Sequence, residues 1–507
     1  MMALRRYVLG LVVIFAALAV LSASGCHKPV TFPGKPVTAP PAGAAGETPV
    51  GYGIESKDQP DYFQIRDASG RVVRLEFVGN GNIESVELAK VDRAAGPHIV
   101  IGLDGVPFQV VEAMWREGHF RLFPAPTRTV ATYPSMTDLC FNELLHTSPS
   151  PGFQAKYYDC KKNDIVGGTG NYLSAKNSPW EARLDYRISA WRDAYAYTIP
   201  WKLFNDELAG MKRVFDEATG PVTKIGYSSG TAGIGTLFGE KGMREYLEVI
   251  ERFAQQITSQ RRGQVSITLT ADHGQNMEAG KRVSFKKYLE ERGWRIRDSV
   301  SNDNDVATVE YGLVTYSAFN TCKPEKLAAD LMGHETVDLV TYSEGDAVMV
   351  IRGTEKARIT AGPQKEANGR PTACRYEPLS GDPLHYGPVI ENLKAAGKVS
   401  ADGFVDHDAC FLETLEHEYP DAPWRIWTGF HYLVSNPANV IASLKDPWFN
   451  GSAFFNFMVT VLSTHGSLNR LNSVTFVLSN RKELPAAIQQ TEILGALEIA
   501  APVKAKK

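Results

Sequence analysis

The feature that most constrains this chain is a pair of apolar runs without polar alternation, each ending in acidic or imidazole residues. His98-Ile-Val-Ile-Gly-Leu runs into Asp104, and Gln264-Val-Ser-Ile-Thr-Leu-Thr270 runs into Ala271-Asp272-His273-Gly274. A strand without alternation is buried on both faces, the pattern of a parallel sheet covered by helices. In open sheets of that kind, ligands collect beyond the carboxyl ends of the strands. Helical spacing over Leu203 to Ala218 precedes the strand-like Val222-Thr-Lys-Ile-Gly-Tyr, and helical spacing over Met243 to Ile257 precedes the second apolar run. Further on, Phe457-Met-Val-Thr-Val-Leu leads to Ser463-Thr-His465-Gly-Ser, and Val474-Thr-Phe-Val-Leu reads as another strand. Helix and strand alternating in this way predict an α/β fold with a largely parallel central sheet.

The 507 residues, 43% hydrophobic and 22% charged, describe an ordinary globular protein able to bury one large core or two moderate ones. A net charge of −3, from 54 basic and 57 acidic residues, leaves no basic field for nucleic-acid backbones or anionic lipid, so no nucleic-acid partner is expected. Any phosphate the protein handles must be held locally.

At the amino end, Arg5 and Arg6 precede an apolar run from Tyr7 to Leu21, which suits a signal-peptide core and falls short of the roughly 20 residues of a comfortable membrane span. The run closes in Leu21-Ser-Ala-Ser-Gly-Cys26, which resembles the lipobox of bacterial lipoproteins, with Ala23 where Leu is commoner. The resemblance implies a signal peptide over residues 1–25 and lipidation of Cys26; an ordinary cleaved signal peptide is the alternative. Either way the chain is expected to be exported. The expected location is the cell envelope, lipid-anchored and facing the periplasm or held at the outer membrane. Residues 26–52, rich in Pro, Ala and Gly, read as a tether. Residues 53–95 carry the alternation of a small β appendage, broken at Gly79-Asn-Gly-Asn. The main domain is expected over 96–507, with an inserted cap around 320–450 that includes Val337-Asp-Leu-Val-Thr-Tyr, Ala347-Val-Met-Val-Ile-Arg and a helical segment from Phe411 to His417. Cap aromatics such as Trp424, Trp427, Phe430 and Trp448 are candidates for substrate selectivity, with core packing the default reading of most. Cys140, Cys160, Cys322, Cys374 and Cys410 allow two disulfides and one free thiol in an oxidising compartment, and none has zinc-thiolate spacing.

Four separated segments carry metal-binding or nucleophilic residues at strand ends or turns: Asp104, Thr132-Tyr-Pro-Ser135, Asp272-His273-Gly274 and Thr464-His465-Gly466. Each alone is a weak signal, and their order carries the argument. Over roughly Pro97 to Leu478 that succession resembles the alkaline-phosphatase superfamily. Its nucleotide pyrophosphatase/phosphodiesterase branch is the nearest, on the strength of Thr132-Tyr133-Pro134-Ser135. The resemblance implies a three-layer sandwich, with Thr132 as nucleophile and Ser135 at the position that helps hold the substrate's non-bridging oxygens. It implies that Asp104, Asp272 and His273, with the Thr132 oxygen, bind one metal, and that His465 binds another. A divalent cation on a threonine oxygen lowers its pKa and organises in-line attack at phosphorus or sulfur. Oxygen and imidazole ligands suit zinc or manganese.

The sequence departs from the family where the second metal should be held. The family pattern Thr-Asp-x-x-Gly-His-x-x-Gly is met by Thr231-Ala232-Gly-Ile-Gly235-Thr236-Leu-Phe-Gly239, so both ligand positions are lost. One ion is therefore expected rather than two, and His465, released from metal duty, becomes the candidate general acid. The expected function is a metal-dependent hydrolase or transferase of small-molecule or lipid-linked phosphate or sulfate esters. The alternative is a catalytically inactive domain of the same fold that serves as a binding module. Asp406-His407-Asp408 and Glu416-His417-Glu418 could supply missing ligands from the cap, although a solvated charged face accounts for them more simply. His385 and His431 read as ordinary core or pocket histidines.

Overall fold

The computed structural model describes residues 46–52, 61–79, 82–366 and 369–499. The signal peptide, Cys26 and most of the expected tether lie outside the described residues. No helix among the described residues is long and apolar enough to cross a membrane.

The centre of the molecule is a five-stranded sheet in the order Thr127–Val130, Val474–Ser479, Ser266–Ala271, His98–Leu103, Thr223–Ser228. His98–Leu103 runs parallel to both its neighbours, and Val474–Ser479 is antiparallel to the strands on either side of it. Four strands therefore share one direction and one does not. Residues of the central strands alternate between two apolar layers, as the pleat requires. Ile99, Ile101 and Leu103 join Ile267 and Leu269 under the helices Phe108–Arg116, Pro200–Asp216 and Gly230–Gln260. Val100, Ile225 and Tyr227 face the other way, against Phe141 and Leu144 of the helix Thr137–Leu144 and against Ile493 and Leu494 near the carboxyl end. Helices thus cover both faces, the three-layer α/β arrangement expected from the sequence.

The region expected to be a cap holds a second, larger sheet. Nine strands line up in the order 295–296, 305–308, 316–321, 440–444, 337–344, 347–352, 355–361, 373–380, 405–406, nearly all antiparallel. The helix Ala422–His431 packs on this sheet through a core that includes Ile426, Trp427 and Phe430. That core reaches Tyr133 and Leu139 of the first layer, so the two sheets are joined by apolar packing. Trp424, Trp427 and Phe430 are buried, the core role that was the default for them.

Three local expectations differ. Thr48–Tyr52, the end of the expected tether, pairs as an edge strand with Asp61–Arg66 in a four-stranded appendage. The strand-like run from Phe457 is a short helix, Ala453–Met458, followed by irregular chain, and the helix expected from Phe411 is His407–Glu413. All five cysteines beyond Cys26 stand as free thiols, with Cys140, Cys374 and Cys410 buried.

Candidate metal centre

The carboxyl ends of three parallel strands converge on one corner. Asp104 follows His98–Leu103 and donates its backbone N–H to the Ser228 carbonyl at 3.2 Å, at the tip of the neighbouring strand. The chain then turns at Gly105, whose φ of 63° is left-handed and whose Cβ position lies 2.4 Å from Gln275 Nε2, so only glycine fits. That turn aims the Gly105 N–H at Asp272 Oδ1, 2.8 Å away, and the same oxygen accepts the His273 N–H at 2.9 Å. One oxygen of Asp272 is thereby fixed, and the other, Oδ2, is buried without a partner.

His273 is wholly buried, and its Nδ1–H donates to the Gly274 carbonyl at 2.9 Å. That bond leaves Nε2 as the lone-pair nitrogen. It stands 3.3 Å from Asp272 Oδ2 and 3.8 Å from Asp104 Oδ1. Ligand atoms of Asp104, Asp272 and His273 all fall within 4.8 Å of one another, the only such cluster among the described residues. Tyr227 donates its hydroxyl to the other Asp104 oxygen at 2.6 Å and so orients the carboxylate.

Electrostatics favour a cation here. Burial, then the charge of Asp272, raises the Asp104 carboxyl well above the usual range, with smaller pushes from Asp193 and Glu207. Burial raises Asp272 as well. Burial holds His273 down at about 4, so the imidazole is neutral and able to ligate. Two buried carboxylates, one of them with an oxygen lacking a partner, and a lone-pair nitrogen are the donor set of a divalent zinc- or manganese-type ion. The residues present fit one metal.

The hydroxyl at this corner belongs to Thr137. Its Oγ1 stands 3.3 Å from His273 Nε2 and 3.5 Å from Asp104 Oδ1, at the first residue of the helix Thr137–Leu144. Thr132, the expected nucleophile, turns the other way: its hydroxyl donates to the Pro134 carbonyl at 2.9 Å and lies 3.3 Å from Cys140 Sγ. The physical reason is the bend through Tyr133 and Pro134, which buries the Thr132 side chain beneath the loop and delivers the chain to the metal corner five residues later. Ser135 is also enclosed. Its hydroxyl donates to the Thr132 carbonyl at 3.0 Å, and it belongs to a network around Arg425, which donates to Thr132 O at 3.1 Å and to Leu468 O at 3.0 Å. What Ser135 contributes to the corner is its backbone oxygen, which accepts the Nδ1–H of His465 at 2.8 Å.

His465 stacks on His273, ring centroids 3.8 Å apart and planes within 18°. Its Nε2 is free of the Ser135 bond. Burial and the neighbouring His273 lower its pKa to about 3.

The segment 231–239, where the resemblance places two ligands of a second metal, forms the start of a helix. Ala232 and Thr236 lie one turn apart in the first part of the helix Gly230–Gln260, which kinks at Gly239. Gln275 fills the space between Gly105 and Gly235. Of the other acid-histidine groups, His407 pairs with Asp421 at 3.0 Å and stacks on Trp424, while His417 donates its Nε2–H to the His385 carbonyl and accepts the Tyr419 N–H at Nδ1. Neither contributes to the metal cluster.

The structure brings Asp104, Asp272, His273 and His465, singled out from the sequence, to one corner together with Thr137, Tyr227 and Gln275, which the sequence did not single out. A signal for Thr137 was present: it is the hydroxyl nearest to Leu139, Cys140, Phe141 and Leu144, whose spacing is helical, after the strand Thr127–Val130.

No family model matches this sequence, and no curated protein matches it. Among solved structures, the chain is similar to human ectonucleotide pyrophosphatase/phosphodiesterase 5, at 10% identity, with 81% of this chain and 96% of that one covered and a TM-score of 0.44. It is similar also to phosphonoacetate hydrolase from Sinorhizobium meliloti 1021, at 12% identity, covering 84% of this chain and 99% of that one, with a TM-score of 0.43.

Proposed function

We propose that this protein is a metal-dependent hydrolase or transferase of phosphate or sulfate esters that works with one divalent ion. The observation that carries the reading is the meeting of Asp104, Asp272, His273 and the Thr137 hydroxyl at one buried corner, with Asp272 Oδ2 left without a protein partner. Asp104, Asp272 and His273 would hold the ion, and Gly105 and Tyr227 would keep the two carboxylates in place. When bound, such an ion supplies charge neutralisation and a lowered hydroxyl pKa.

Thr137 is the residue we assign as nucleophile, in the place the sequence suggested for Thr132. Its position at a helix start favours negative charge on its oxygen. His465 is assigned proton transfer at Nε2. Its Nδ1–H bond to Ser135 fixes the ring, and the negative charge of a bound ester beside it favours the protonated form. We also propose export and anchoring through Cys26, which metabolic labelling with a fatty acid would test by the presence or absence of label in a Cys26→Ser chain.

A second reading, a binding module that turns over nothing, is favoured by one observation: Ala232 and Thr236 stand where the resemblance places two ligands of a second metal. The deciding experiment is hydrolysis of an activated phosphodiester and an activated sulfate monoester by zinc- or manganese-loaded protein. Turnover of either ester, abolished by chelation, supports the enzyme. Failure of the loaded protein on both moves the assignment to the binding module.

A further inference from the structure

Arg425 belongs to the helix Ala422–His431 of the second layer and is buried, yet its guanidinium reaches the loop and the strip that meet at His465. Its Nη2 donates to the Thr132 carbonyl at 3.1 Å, to the Ser473 hydroxyl at 2.5 Å and, at 3.4 Å, to the Ser135 hydroxyl. Its Nη1 donates to the Leu468 carbonyl at 3.0 Å and to the Pro420 carbonyl at 2.9 Å. Apart from Pro420, just ahead of its own helix, these acceptors belong to two short segments, 132–135 and 468–473.

Those two segments frame His465. The Ser135 carbonyl accepts the His465 Nδ1–H at 2.8 Å, and the Ser135 N–H donates to the Gly466 carbonyl at 3.2 Å. Leu468 follows three residues after His465. The Ala131 N–H also donates to the Ser473 carbonyl at 2.8 Å, so the loop and the strip meet on both sides of the guanidinium. The same helix presses on the loop at a second point: a Cβ on Gly429 would lie 2.3 Å from the Tyr133 carbonyl oxygen, so no side chain fits there.

Burying a charge is costly, and none of these acceptors is a carboxylate that would offset the cost through an ion pair. Burial lowers the guanidinium to about 10, which leaves it charged at neutral pH. An apolar side chain of similar length would fill the same place at less cost. What arginine supplies is a planar fork whose two nitrogens hold acceptors on different segments at a fixed separation. Lysine, a single ammonium on a flexible stem, does not span both.

We propose that Arg425 is a positioning residue for His465: by holding the Thr132 and Leu468 carbonyls on one fork, it sets the Ser135 carbonyl against the His465 ring and so fixes the direction of Nε2. This rests on the proton-transfer role assigned to His465 above. It gives the second sheet a part in the chemistry, since the helix packed on that sheet carries the side chain that aligns a residue of the metal corner.

The test reads the ring N–H resonances of the full chain carrying isotope-labelled histidine, with His465→Ala and His273→Ala chains assigning the two Nδ1–H signals. In Arg425→Lys the His465 proton should exchange with water about tenfold faster or more, the scale of weakening one buried hydrogen bond. The His273 proton, bonded to the Gly274 carbonyl, should keep its wild-type rate. Ser473→Ala, which removes one acceptor and leaves the guanidinium, should move the His465 signal the same way by less. In the metal-loaded chain, Arg425→Lys should lower kcat on a phenyl ester about tenfold to a hundredfold, less on a dinitrophenyl ester whose leaving group needs no proton, with KM unchanged. A His465 signal unchanged in both variants, or one that moves together with His273, would overturn the inference while leaving the role of His465 standing. If His465→Ala itself leaves turnover of the phenyl ester unchanged, the proton-transfer reading fails and the positioning role with it.

Discussion

Two neighbouring places at the same edge of the central sheet have opposite contents. Beyond the strands His98–Leu103 and Ser266–Ala271 stand two carboxylates, an imidazole and a hydroxyl; beyond Thr223–Ser228, the helix Gly230–Gln260 opens with threonine, alanine and glycine. The backbone frame is equally prepared at both, since each is a strand-to-helix or strand-to-turn junction at the ligand-binding edge. What differs is the side-chain chemistry placed on it. A fold of this kind therefore supplies positions, and each position becomes a site only when its residues can pair with charge.

The largest effect that could break this comparison concerns which hydroxyl serves the charged corner. Thr137→Ala is expected to lower the rate on an activated ester about a thousandfold or more, the scale of losing a nucleophile. Thr132→Ala should stay within about tenfold, because that hydroxyl contacts Pro134 and Cys140 instead. Steady-state kinetics on the two variants decides it, and the reverse order would mean that the loop turns over during catalysis.

A second prediction sharpens the comparison by filling the empty place. Ala232 and Thr236 are four residues apart, on one face of the helix. Ala232→Asp with Thr236→His restores the two ligand types that the resemblance places there, and should raise metal content from about one to about two ions per chain. Without metal the double variant should melt earlier than the wild type, because a carboxylate is then buried unpaired. A metal content unchanged by the substitutions would show that this helix is not the counterpart of a second site.

The smallest effect contrasts the two ends of a single strand. Asp104 lies at the functional end of His98–Leu103, while His98 at the other end is buried, bonded through Nε2 to Thr268 Oγ1 at 2.8 Å, with a pKa lowered to about 3 by burial. Its folded pKa lies below the unfolded value of about 6.5, so the unfolded chain takes up the proton first as pH falls. Stability from this group is complete above about pH 6.5 and declines toward 3, by about 2 kcal/mol between 6.5 and 5. Denaturant unfolding of wild type and His98→Gln at those two pH values should differ by that amount; equal slopes would place the titration elsewhere.

Much of the first layer was legible in the sequence because its signals are local. Ile99 to Leu103 and Ile267 to Leu269 are apolar without alternation, and Asp104, Asp272 and His273 follow directly, so strand, burial and ligand are read in one pass. Thr137 was less legible. The motif drew attention to Thr132, and the sequence alone does not say how a bend at Tyr133 and Pro134 turns one hydroxyl away and brings another in. The nine-stranded sheet was hardest, because its order joins Tyr316–Thr321 to Val440–Leu444 across more than a hundred residues. Periodicity identifies such strands without naming their partners. Ser135 illustrates the same limit at one residue: its hydroxyl is taken up by Arg425 and Thr132 O, partners made only by the packing of the second layer on the first.

The central claim is one divalent ion held by Asp104, Asp272 and His273. Metal content by mass spectrometry on the purified full chain, wild type beside Asp272→Ala, tests it most directly, with ester hydrolysis measured on the same samples. The account predicts about one ion per wild-type chain, lost in the variant together with turnover. A wild-type chain that binds no metal after incubation with zinc or manganese would contradict it.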